Sequence, residues 1–211
     1  MISGKERAMR RLLRTMAGVL LLSCFFFLLL TPVPAQEGAT KAGTPVLVTS
    51  CGQSPGPVRI QFFLKRLEID HVYDLQATAS ELVAAKESGT PFRSLIIVTG
   101  ASLKGMGAAG VSIQDELDRI GSMIEEAKNQ GIKIIGAHIE GMSRRAQGAA
   151  PGDNSDELSI DAVCPESDLL VILKEGDEDG RFTTISNSFN IPLILFEKNM
   201  ELGDVLQGIF E

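Results

Sequence analysis

Apolar positions along the chain fall into two kinds of run. Five are short and continuous, of strand length: 45–50 (PVLVTS), 94–100 (SLIIVTG), 133–139 (KIIGAHI), 168–174 (DLLVILK) and 192–197 (PLILFE). A sixth, 71–77 (HVYDLQA), is interrupted by Asp74 and Gln76. Continuous rather than alternating apolarity is the mark of parallel strands covered on both faces. The intervening segments have helical spacing instead. In 112–131, Ile113, Leu117, Ile120, Ile124 and Ala127 form one stripe, Ser112 stands at the N-cap with Asp115 three residues on, and Gly131 closes the helix. Segments 57–69, 80–89, 155–164, 181–189 and 200–210 fill the other gaps. Strand alternating with helix predicts an α/β fold, a doubly wound three-layer sandwich around a mostly parallel sheet of five or six strands, flavodoxin-like or Rossmann-like. The interrupted second strand belongs at an edge, which gives the order 2-1-3-4-5 with the sixth strand on the far side. The topological switch then lies between strands one and three, and open α/β sheets bind ligands beyond the carboxyl ends of their strands at that point.

The first 35 residues read differently. Lys5, Arg7, Arg10, Arg11 and Arg14 precede an uncharged apolar run of 14 residues, then TPVPA, with Val33 and Ala35 placed as at a signal-peptidase site. The run is shorter than the ~20 residues of a spanning helix. The prediction is a secretory signal cleaved after Ala35, with an uncleaved anchor as the alternative. Residues 36–43 read as a flexible tether and 44–211 as one domain. Cleavage removes five of the 20 Lys and Arg and one of the 27 Asp and Glu, leaving 15 against 26 in 176 residues, a net charge of −11. A chain that acidic repels nucleic acid and anionic lipid, and its length suits a single core. Two cysteines remain, Cys51 after strand one and Cys164 before strand five. A strand of five residues spans about 17 Å, while bridged Cα atoms lie within about 7 Å. Both thiols are therefore expected to be free.

Candidate chemistry gathers in the loops at the switch. Gly105-Met106-Gly107-Ala108-Ala109-Gly110 spells G-x-G-x-x-G. A dinucleotide loop must begin at the end of its strand and close inside the first helical turn. Here Gly100 to Lys104 separate Thr99 from Gly105, the helix cap comes only after Gly110, and the nearest acidic candidate for a ribose is the distant Glu140. Met106 also stands where a phosphate loop of the Walker type needs lysine. The segment is expected to be a flexible connector, or a lining whose backbone N–H groups approach an anion with help from Lys104. The strand-one loop resembles the phosphate loop of flavodoxins, T-x-T-G-x-T: Thr49, Gly52 and Ser54 match, with Cys51 in the middle. With no Trp and only Tyr73 for a flavin to stack on, a carboxylate or phosphate is the ligand such a loop would hold here. The run Glu175, Asp177, Glu178, Asp179 reads as a solvated turn, with Asp179 capping the helix at Arg181. Arg144 and Arg145 are placed to pair with these acids or to clamp a carboxylate.

Four segments carry a resemblance that spans nearly all of 44–197: PVLVTSCGQSPG, SLIIVTGASLKGMGAAGVSIQDELDRI, GIKIIGAHIEGMSRR and KEGDEDGRFT, in that order. The chain resembles a family of exported bacterial single-domain α/β proteins that is a domain of unknown function. The resemblance implies export and one α/β domain, and it supplies no catalytic residues. The leading expectation is an exported module that binds a small anionic metabolite and serves as accessory to a membrane transporter or sensor. Its predicted ligand contacts are Cys51, Gly52, Gln53, Ser54, Gly100, Ser102, Lys104, Gly105, His138 and Arg144, with no metal, cofactor or catalytic residue assigned. The competing expectations are an exported thiol- or hydrolase-type enzyme using Cys51 and His138, with the cysteine activated at a helix N-terminus, and a structural or partner-docking domain.

Overall fold

Six strands carry the apolar runs: β1 (Val46–Cys51), β2 (His71–Tyr73), β3 (Ser94–Thr99), β4 (Lys133–His138), β5 (Leu169–Leu173) and β6 (Leu193–Phe196). They are seen in a computed structural model that describes residues 40–146 and 153–210. Every pairing is parallel and the order is β2-β1-β3-β4-β5-β6, as the periodicity predicts. β1, β3 and β5 are buried along their whole length, whereas edge strand β2 shortens to three half-exposed residues. That shortening follows from Asp74 and Gln76, which have no apolar face to offer.

Six helices connect the strands and a seventh follows the last one among the described residues: α1 (Gly56–Arg66), α2 (Ala79–Glu87), α3 (Leu103–Ala109), α4 (Ile113–Gln130), α5 (Ser155–Val163), α6 (Arg181–Phe189) and α7 (Leu202–Phe210). One face of the sheet packs on Ile60, Phe63 and Leu64 of α1 and on Leu202, Leu206 and Ile209 of α7. The other face meets Leu82 of α2, Ile120, Met123 and Ile124 of α4, and Ile160 and Phe182 of α5 and α6. Helix α4 begins and ends where its sequence dictates. Ser112 Oγ accepts the Asp115 N–H at 3.2 Å, the Asp115 carboxylate accepts the Ser112 N–H at 2.8 Å, and Gly131 takes the left-handed conformation at φ 69°.

Three expectations need correction. The 100–110 segment is not a flexible connector: Ser102 caps α3 by accepting the Gly105 N–H at 3.0 Å, and Gly110 ends it at φ 70°. Gly105 and Gly107 therefore lie inside a helix, not in a loop at a strand's end. Residues 41–43 of the expected tether are docked, since Ala42 N–H bonds to Ile209 O at 2.9 Å and Lys41 Nζ to Gly208 O at 2.8 Å. Helix α6 is capped by Asp177, which accepts from Phe182 N at 2.6 Å and from the Thr183 hydroxyl at 2.5 Å, more than by Asp179. The expected signal segment 1–35 and tether residues 36–39 lie outside the described residues.

Candidate functional site

The loops that follow β1, β3, β4 and β5 converge at the carboxyl edge of the sheet, and three clusters of charged side chains fill the space between them. The first seals the β1 loop. Gly52 at φ 104° and Gln53 at φ 55° turn the chain so that donors face α4. There the carboxylate of Glu116, 1% exposed, accepts the Gly52 N–H at 2.8 Å and the Gln53 side-chain amide at 3.1 Å. Arg119 holds the same carboxylate at 3.0 and 2.9 Å and also donates to Ser50 O and Ala77 O, each at 2.6 Å. A buried carboxylate is tolerated only when its lone pairs are matched this fully.

The second cluster closes the crevice between strands one and three. Glu140 accepts the Gly56 N–H at 3.1 Å and meets Arg144 at 3.4 Å, while Arg144 donates to Ala101 O at 2.9 Å. Gly100 is glycine here for two reasons, a φ of 115° that L side chains rarely adopt and a Cβ that would stand 2.9 Å from Cβ of Arg144. Ala101 N–H goes to Asp156 of α5 at 2.6 Å, and Gly100 N–H to Ser159 Oγ at 2.8 Å. The two loops also bond to each other, Ser102 N–H to Gly52 O at 2.7 Å. In the third cluster Arg145, buried, joins the loops after β4 and β5. It pairs with Glu157 at 2.7 Å and Asp179 at 2.8 Å, donates to Gly176 O at 2.6 Å, and lies 5.5 Å from the Phe182 ring centre. The Arg145 fork holds the Asp179 carboxyl down to about 2.

The predicted site residues divide sharply. Cys51, Gly52, Gln53, Ser54, Gly100 and His138 are buried, so in this arrangement they face the protein's own groups and not a ligand. The backbone donors at Gly52, Gly56 and Ala101, on which an anion site would rely, already serve Glu116, Glu140 and Asp156. Arg144 is committed to Glu140 and Ala101. Ser102 and Gly105 are half-buried on α3, and Lys104 is exposed with no partner among the described residues. The loops meet as predicted. Carboxylates of the chain itself occupy their backbone donors.

Cys51 and His138 also meet an unexpected outcome. In-register pairing sets Cys51 beside Thr99, and Thr99 beside His138 through the Val98–Ala137 pair, so the three form one row across β1, β3 and β4. Burial pushes the Cys51 thiol up to about 12, which keeps it protonated and poorly nucleophilic at neutral pH. Nε2 of His138 lies 3.0 Å from Gly141 O, an acceptor only, so Nε2 carries the proton. Nδ1 then accepts from the Thr99 hydroxyl at 3.0 Å. Burial lowers this imidazole to about 4, against the smaller opposing effect of the Gly141 bond. Both ring nitrogens are used and neither faces the thiol, so these two residues are not poised as a nucleophile and its base. Cys51 and Cys164 are free, as expected.

Sequence reasoning missed Glu116, Arg119, Asp156, Glu157 and Ser159. Only Glu116 left a trace: three residues after Ile113 and four before Ile120, it falls on the buried stripe of α4, where a carboxylate needs a buried partner. Beside the mouth is an open groove of about 330 Å³, lined by the apolar Leu103, Met106, Gly107, Val111 and Ile113 and by the polar Ser112, Asp153, Asn154 and Ser155. Among the described residues no group of three or more His, Cys, Asp or Glu is arranged to hold a metal ion, and no helix is long and apolar enough to cross a membrane.

Among the described residues, fold and loops define a doubly wound α/β architecture whose carboxyl edge is neutralised by the chain's own ion pairs. The chain belongs to the family described as Domain of unknown function (DUF6305), whose model matches residues 43–210. No curated protein matches it. Among solved structures it is similar to the psychrotrophic esterase EstA from Pseudoalteromonas sp., at 11% identity and a TM-score of 0.31 over 72% of this chain and 78% of that one. It is also similar to an acetyl xylan esterase, at 10% identity and a TM-score of 0.37 over 77% and 85%. A third is a GDSL-like lipase from Bacteroides thetaiotaomicron, at 16% identity and a TM-score of 0.32 over 80% and 77%.

Proposed function

We propose that the chain is an exported binding module that takes a small, largely apolar molecule in the groove between α3 and the start of α5. One observation carries the reading: at the carboxyl edge, where doubly wound sheets bind ligands, the loop donors are consumed internally while this groove stays open. Its size falls at the lower end of small-molecule sites, roughly 300–1,000 Å³. Its apolar wall includes Leu103, 66% exposed, a side chain that gains by being covered. An anionic ligand is the poorer fit, because Asp153 sits on the polar rim and Lys104 is the one cation nearby on α3. A single lobe leaves such a ligand partly open to water, so a transporter or sensor would supply the other wall. Export rests on the basic and then apolar first 35 residues, and N-terminal sequencing of the secreted protein tests it, with Gln36 expected first.

The binding reading is tested at Gly107, where an added Cβ would meet nothing within 4 Å. Gly107→Phe fills the groove without disturbing the core. In a thermal-shift screen of small alcohols, amines, fatty acids and sugars, ligands that raise the wild-type midpoint should lose their effect on this variant, while its unliganded midpoint is no lower than that of wild type. A ligand that shifts both equally binds elsewhere and sinks the assignment. No ligand across the panel favours partner docking.

A hydrolytic reading is favoured by a different observation, and it uses Ser54 in place of Cys51 and His138. Ser54 Oγ and the Glu140 carboxylate both accept from Gly56 N–H, at 3.4 and 3.1 Å, which sets a serine beside a carboxylate, and because Ser54 is buried the reading requires the β1 loop to open. Ester turnover that falls at least ~100-fold in Ser54→Ala, the scale expected for loss of a nucleophile or its activation, would establish it. Turnover unchanged in that variant would remove it.

A further inference from the structure

The β1 loop is built as an anion receptor even though no external anion reaches it. Five contacts surround one carboxylate: Gly52 N–H at 2.8 Å, the Gln53 amide at 3.1 Å to both oxygens, and the Arg119 fork at 3.0 and 2.9 Å. Each donor is also held by a group other than Glu116. The Gln53 amide donates to Leu75 O at 3.0 Å, and Arg119 is fixed by Ser50 O and Ala77 O at 2.6 Å each. The Gly52 backbone is fixed by its own carbonyl, which accepts Ser102 N–H at 2.7 Å. The donors therefore keep their positions without the carboxylate, and a preorganised, dry set of charge-assisted donors is what makes an oxyanion site strong.

We propose that this cage is a binding site for a small carboxylate, filled in the native chain by Glu116 and open to a free one when that side chain is cut back. The chemical class follows from the fit. Glu116→Ala deletes a CH₂–COO⁻ group, so acetate replaces it atom for atom, formate fits with room to spare, and a branched acid such as pivalate is too large for a site that is 1% exposed. The cage stands apart from the α3 groove, and the proposal holds whether or not that groove binds a ligand.

The test is thermal unfolding of the full chain at neutral pH in sodium acetate, against sodium chloride of equal ionic strength. Glu116→Ala should melt below wild type in chloride and regain at least about 3 °C as acetate rises to saturation, the mass-action signature of a ligand that binds only the folded state. Formate should act likewise and pivalate should not. Wild type and Glu116→Gln, whose cages are full, should show no response beyond that to chloride, and adding Arg119→Ala to Glu116→Ala should abolish it. If Glu116→Ala is unfolded in chloride, recovery of its helical circular dichroism in acetate is the expected result. A variant indifferent to acetate and formate, folded or not, overturns the proposal, as does an equal response in wild type.

Discussion

Arg119 shows how far a single side chain can set the order of a loop. It neutralises Glu116 and donates to carbonyls on β1 and before α2, so its loss leaves a buried carboxylate held only by the neutral donors of Gly52 and Gln53 and takes a charged donor from two carbonyls. Arg119→Ala should destabilise the domain by about 3–5 kcal/mol, the scale for breaking one partner out of a buried pair, and urea unfolding of the variant checks it. His138 makes a prediction with a sign. Its imidazole is neutral in the fold to about pH 4, against an ordinary value of 6.5. Above pH 6.5 neither the folded nor the unfolded chain binds the proton, and the stability is whole. Between 6.5 and about 4 only the unfolded chain binds it, so stability falls as pH drops through that window, by about 3 kcal/mol in total, and then levels. Urea midpoints across pH 4–7 should show this slope, and His138→Gln should flatten it. At this scale the sequence was half legible. That Gln53, Ser102 and Gly100 would share one mouth could be read from strand order. That Glu116, Asp156 and Ser159 would fill it could not, because those partners come from helices more than fifty residues away, whose rotation about their axes is set by packing.

At the scale of elements the pattern of apolar runs was a sufficient guide wherever a segment had a face to bury. The strands, their order, the weak edge at β2, and the caps of α4 all follow from it. It failed at α3, whose sequence LKGMGAA buries only Met106 among its seven residues and whose glycines argue for a loop. What holds this turn in helical form is the Ser102 cap together with the close approach of the β1 loop. A Cβ on Gly105 would stand 2.2 Å from the Gln53 carbonyl oxygen, a backbone atom that cannot step aside. The two helical glycines should therefore respond in opposite directions. Gly107→Ala gains helix propensity at no steric cost and should stabilise by up to about 1 kcal/mol. Gly105→Ala should destabilise despite the same propensity gain, since α3 must move off the β1 loop. Thermal midpoints of the two variants decide it, and a stabilised Gly105→Ala would mean that the two loops are not in contact.

Among the described residues, ion pairs close the carboxyl edge of the sheet over a buried row of chemistry. Three ion-pair clusters, around Glu116, Glu140 and Arg145, tie the loops after β1, β3, β4 and β5 into one surface, and Cys51, Thr99 and His138 lie under that surface with no exposure to solvent. This makes the thiols probes of how the mouth opens. If the clusters break one at a time, Cys51 becomes reactive through a local opening that exposes little surface, while Cys164, in a different core cluster, stays protected. If they hold until the domain unfolds, both thiols react together, at a rate that rises with urea as steeply as global unfolding does. The second outcome is expected, because each cluster spans loops from different elements and none can open without disturbing a neighbour's backbone bonds. Timed labelling with a thiol reagent at increasing urea, read by mass spectrometry peptide by peptide, separates the two. Cys51 reacting alone with a shallow urea dependence would show that the mouth opens under native conditions, and would restore the row beneath it as a place where a substrate could enter.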